Sequence, residues 1–150
     1  MNQNMRWSLE ELYPSFQSES FHQDLEKLDQ VIEEVKEWTK FSLKSYENPM
    51  EKIELFINKE IQLSLLYSKL MSYAFLISSV EARNQDALNT IEKLQVTYNE
   101  LTESSVHFEK WLASLENLDE VIQSSDLLKE HTYFLKQIIE RSKYLLSEEQ

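Results

Sequence analysis

The chain has 150 residues and carries 15 basic against 27 acidic side chains, a formal charge of −12. That length suits one domain of ordinary size, and the acidity disfavours nucleic acid and anionic membrane as partners, because phosphate contacts need clustered Lys and Arg. With 41% hydrophobic residues, no cysteine and no glycine, the composition argues against disorder and excludes thiolate chemistry, disulfides and Gly-rich phosphate loops.

Average usage of about 7% predicts roughly ten glycines in this length. Their absence makes tight hairpin turns hard to build, since those favour glycine at positive φ. The expected fold is all-α: long antiparallel helices in a bundle or helical hairpin, with no sheet, as a single helical domain over 1–150. Met1 to Ser8 contains no apolar h-region, so no secretory signal is read there. The expected location is cytoplasmic.

Ser8-Leu-Glu-Glu11 is a capping box and predicts a short turn of helix over 8–13, stopped by Pro14. Ser20-Phe-His-Gln23 repeats the pattern and opens a long helix over about 20–44. Its apolar residues Phe21, Leu25, Leu28, Ile32 and Val35 recur at spacings of four and three, extended by Trp38 and Phe41, while Asp24, Lys27, Glu33, Glu34, Lys36 and Glu37 form a wet face. Asn48-Pro-Met-Glu51 is a third start signal, with Asn at the cap and Pro at the first helical position. The helix it opens runs over about 48–80. From Ile61 to Ile77 it is apolar almost all round, yet Gln62, Ser64, Ser68, Lys69 and Ser72 interrupt the run. It therefore falls short of the ~20 predominantly apolar residues of a membrane span and reads as a buried central helix.

A cap at or near Asn84 opens a helix over about 85–116. Its stripe (Ala87, Ile91, Leu94, Tyr98, Leu101, Ser105, Phe108, Leu112, Leu115) keeps strict three–four spacing, which favours near-antiparallel packing. Residues 117–125 are polar and predict a turn with a short helix. A last helix over about 125–146 packs through Leu127, Leu128, Phe134, Leu135, Ile138, Ile139, Leu145 and Leu146. Ser147-Glu-Glu-Gln150 is again a helix-start signature with no helix behind it, which reads either as a frayed polar tail or as the front piece of a longer protein.

No catalytic, cofactor-binding or metal-binding residue can be nominated. His22, His107 and His131 are scattered, and none has a second His four residues on. His107-Phe-Glu-Lys-Trp111 has a first His and a Glu two residues on, but no closing His. The carboxylate neighbours Glu10/Glu11, Glu33/Glu34, Asp119/Glu120 and Glu148/Glu149 are adjacent on helices and point apart, so they read as solvated faces. Acid–base work needs a carboxylate made unusual by burial or a close charge. The cluster Trp7, Leu12, Tyr13 and Phe16 must be covered either by the bundle or by a partner.

At Trp7-Ser-Leu-Glu-Glu-Leu-Tyr-Pro-Ser15 the sequence resembles the opening of oligoendopeptidase F, in the thimet oligopeptidase-like zinc metallopeptidase family. The likeness continues through Phe21, Asp24-Leu25 and Leu28, then Leu70-Met-Ser-Tyr-Ala74, Phe108-Glu-Lys-Trp-Leu112 and Tyr144-Leu-Leu-Ser-Glu148. The resemblance implies the N-terminal helical region of a cytoplasmic enzyme that cleaves short peptides inside a channel. It implies zinc in the complete enzyme, held by an HExxH motif on a C-terminal catalytic domain, the expected partner alongside short peptides. That motif is absent from this sequence, so no catalytic residue carries over and the chain alone is expected to be inactive. Two other readings stand beside it: a stand-alone helical module that binds peptide or protein, and a structural oligomer that pairs through the Ala87–Leu115 stripe.

Overall fold

A computed structural model describes residues 12–149, with side chains described through Arg141. Every regular element among the described residues is a helix: α1 Glu19–Ser42, α2 Pro49–Val80, α3 Gln85–Asn99, α4 Thr102–Ala113, α5 Leu118–Gln123, α6 Asp126–Glu130 and α7 Thr132–Glu149. The helical turn expected over 8–13 lies mostly outside the described residues. The residues gather into two compact units. The first takes the chain up to Glu33 together with Glu60–Glu100, and the second takes Glu34–Lys59 and Leu101 onward.

Local chemistry sets most of the helix starts. At α1 the cap is Ser18, two residues ahead of the expected Ser20: its hydroxyl accepts from the Phe21 amide at 3.3 Å. Pro49 occupies the first position of α2, as Asn-Pro predicts. Asn48 itself sits at φ 50, the left-handed region that asparagine tolerates better than most residues. A chain without glycine thus places its one left-handed residue, among those described, on asparagine. Asn84 caps α3 by accepting from the Ala87 amide at 2.9 Å, and Ser125 caps α6 by accepting from the Leu128 amide at 3.3 Å.

Two of the long helices that the spacing predicts are interrupted. The run over about 85–116 breaks at Glu100 and Leu101, where the Glu100 amide turns to the Thr97 and Tyr98 carbonyls. Thr97, Asn99, Thr102, Ser104 and Ser105 crowd this stretch with poor helix formers. The apolar spacing survives the break because both flanking residues keep right-handed helical dihedrals. The run over about 125–146 breaks at His131, beside Thr132, whose hydroxyl bonds back to the Leu128 and Lys129 carbonyls and so competes with the helix ladder.

The first unit buries an aromatic knot. Tyr13 meets Phe21 and Tyr73 edge-on at 5.1 and 5.3 Å, and Phe16 meets the same two rings at 5.2 and 4.8 Å. Leu12, Tyr13 and Phe16 are therefore covered within this unit. The side chain of Trp7 lies outside the described residues. The second unit is built on flat stacking: Phe56 lies on Phe108 with centroids 3.7 Å apart and planes 5° apart. Trp111 continues from Phe108 at 5.9 Å and donates its indole N–H to the Ser45 carbonyl. Lys52 reaches the same carbonyl and the Ser45 hydroxyl at 3.1 and 3.0 Å, which pins the turn before α2. Helices α4 and α7 pack together and are tied by Arg141 to Glu109 at 3.4 Å.

The expectation that α2 is buried on all sides from Ile61 onward is overturned. Ile61, Leu65, Phe75 and Val80 are exposed, Leu65 by 68% and Phe75 by 52%. By length and composition alone, α2 does reach what a membrane crossing needs, and only 28% of its most apolar window is buried. An all-round apolar sequence states that a helix has no polar side, but not that every side has a neighbour.

Candidate functional site

The residues that carried chemical interest in the sequence do not converge. His22 on α1 and His107 on α4 are exposed, and His131 is half-buried between α6 and α7. Among the described residues, no three His, Asp or Glu side chains stand close enough to hold a metal ion. Glu33, Glu34, Asp119 and Glu120 are exposed, as their helical adjacency predicts. Glu10 and Glu11 lie outside the described residues, as do the side chains of Glu148 and Glu149.

Among the described residues one carboxylate is unusual, and it belongs to none of those pairs. Glu60 on α2 has a buried Oε1 with no hydrogen-bond partner among the described residues. Burial without a donor penalises the charged form, so its pKa is pushed above the usual carboxylate range. Tyr67, two turns along the same helix, packs its ring 4.2 Å from that of Tyr98 on α3. Burial raises the Tyr98 phenol, and the negative charge of Glu60 and the nearby Tyr67 raise it further. The sequence held one signal for this group: Glu60 is the last acid before the apolar run of α2.

A well-served carboxylate lies in the same unit. Asp24 accepts from the Tyr13 hydroxyl at 2.6 Å and meets Lys69 at 3.3 Å, and the Lys69 ammonium also lies 4.8 Å above the Tyr13 ring. Burial, with Asp24 beside it, pushes the Tyr13 phenol far above its usual range. These groups tie the segment before α1 to α1 and α2.

The second unit contains a hollow of about 180 Å³ lined by Glu34, Val35 and Trp38 of α1 and by Leu55, Phe56 and Lys59 of α2. Its walls are apolar, and Trp38 leans on Phe56 at 6.2 Å and 34°. Among the described residues, the charges lining it are Glu34 and Lys59, paired at 3.2 Å with both side chains partly in water. An ion pair this wet is worth about 0–1 kcal/mol, so it can exchange partners at little cost.

The other unpartnered feature is the outer line of α2. Ile61, Leu65, Ser68, Ser72 and Phe75 follow one another at spacings of four, three, four and three, which places them on one helix face. No family model, no curated protein and no solved structure matches this chain.

Proposed function

We propose that this chain is the N-terminal helical domain of an oligoendopeptidase F-like zinc metallopeptidase. In this reading its antiparallel helices form a bundle that supplies part of the wall of a channel admitting short peptides, in the cytoplasm. The zinc and its HExxH motif belong to a C-terminal catalytic domain of the same protein, and the wall contributes shape rather than reactive groups. The charge of −12 makes nucleic acid and membrane surfaces poor partners.

One observation carries the reading: Ile61, Leu65 and Phe75 are exposed on one face of α2, with Ser68 and Ser72 between them. In this reading that face is covered by another part of the protein. The remainder of a larger enzyme supplies that cover and the channel space beside it. The resemblance at Trp7–Ser15 supports the same reading from the sequence. The coding sequence beyond the Gln150 codon tests it. A continuing frame with an HExxH motif is expected, and an open frame without one contradicts the proposal.

The same exposed face of α2 supports a second reading, a stand-alone helical module that binds peptide or protein without catalysis. Such a module is a monodisperse monomer whose melting temperature rises with ligand, because a ligand that binds only the folded state stabilises it by mass action. The oligomer reading loses its basis in the stripe on α3 and α4, since Ala87, Leu94, Leu101, Phe108 and Leu112 are all buried within the chain.

A further inference from the structure

We propose that the hollow between α1 and α2 in the second unit binds a free apolar α-amino acid as its zwitterion. Size narrows the ligand first. A cavity of about 150 Å³ lined by apolar side chains already accepts benzene, so the 180 Å³ here takes one phenyl ring or one branched aliphatic side chain. Drug-sized ligands occupy pockets of about 300 Å³ and upward, and the hollow is too small for them. Val35, Trp38, Leu55 and Phe56 supply apolar contact on both helices, and the indole of Trp38 offers a broad aromatic face.

Charge narrows it further. Glu34 and Lys59 present one negative and one positive group 3.2 Å apart at the hollow. A ligand with a single charge engages one of them and draws it away from its present partner. An α-amino acid carries an ammonium, a carboxylate and an apolar side chain on one carbon. It can place the carboxylate on Lys59, the ammonium on Glu34 and the side chain among the four apolar residues. A residue inside a peptide has neither charge, an N-terminal residue has only the ammonium, and a C-terminal residue has only the carboxylate. The site therefore selects single amino acids over the peptides that contain them, whether or not the chain is part of a peptidase.

The test is a titration of the ¹⁵N-labelled full chain with L-phenylalanine, followed at the Trp38 indole N–H and at the amides of residues 34–38 and 55–59. Saturable shifts with a millimolar dissociation constant are expected. N-acetyl-L-phenylalanine stands for a peptide C-terminus and L-phenylalanine amide for an N-terminus, and each is expected to bind about threefold more weakly, the share of one exposed charge pair. Glycine, which has no side chain to insert, is expected to leave Trp38 unmoved. Lys59→Met should weaken phenylalanine and its N-acetyl form but not the amide. Glu34→Gln should weaken phenylalanine and the amide but not the N-acetyl form. Both side chains are partly exposed, so thermal melts of the two variants should match the parent. Absence of a saturable shift at Trp38, equal affinity for either single-charge ligand, or indifference to both substitutions would overturn the proposal.

Discussion

Asp24 and Glu60 are carboxylates of the same compact unit, and they meet burial in opposite ways. Asp24 has a phenol and an ammonium within 3.3 Å, so its charge is balanced as it leaves water. Glu60 turns one oxygen into the protein with no donor facing it, and its proton is held more tightly as a result. The partners available after burial, more than the residue type, decide whether a buried carboxylate supports the fold or strains it.

Tyr13→Ala should disturb the Asp24 side most strongly. It removes a fully buried ring from contact with Phe21 and Tyr73 and strips Asp24 of its donor. The expected loss is about 3–5 kcal/mol by denaturant unfolding, and a loss below about 1 kcal/mol would mean the knot collapses around the gap. Tyr13→Phe keeps the ring and deletes only the hydroxyl. It should cost about 1–3 kcal/mol, and the interval between the two variants separates ring packing from the hydrogen bond.

Glu60→Gln sharpens the other side. The raised pKa means that the folded chain binds this proton more tightly than the unfolded chain does. Its contribution to stability is therefore present below the ordinary carboxylate range and is lost as pH rises through the folded-state pKa. The variant should gain on the order of 1 kcal/mol at neutral pH, and its gain over the parent should shrink on acidification. A gain that is flat with pH would show that the charge is not the cause. The smallest effect belongs to Leu65→Glu on the outer line of α2, where stability should change by no more than about 0.5 kcal/mol while binding of a hydrophobic dye falls. A loss of several kcal/mol would mean that this face is packed.

The helical character of the fold was open to sequence reasoning because it rests on local rules. The caps at Asn84 and Ser125 and the apolar spacing of Phe21, Leu28, Ile32 and Val35, all buried, follow from side-chain chemistry within one or two turns. The interruption at Glu100–Leu101 was masked because helical dihedrals persist through it and keep Leu101 and Phe108 in step. The exposure of Leu65 and Phe75 could not be read at all, since hydropathy records what a side chain prefers and not which neighbour reaches it. The hollow beside Trp38 was equally hidden. Glu34, Trp38, Phe56 and Lys59 meet only through tertiary packing, and each alone reads as a wet face or a core position.

On the proposed reading, this scaffold shapes the space around a catalytic centre that lies on another domain. Incubating the purified chain with zinc and quenched-fluorescent short peptides, with and without a chelator, tests that claim most directly. The expected result is no cleavage in either condition; cleavage that the chelator abolishes, retained after repurification to homogeneity, would contradict it.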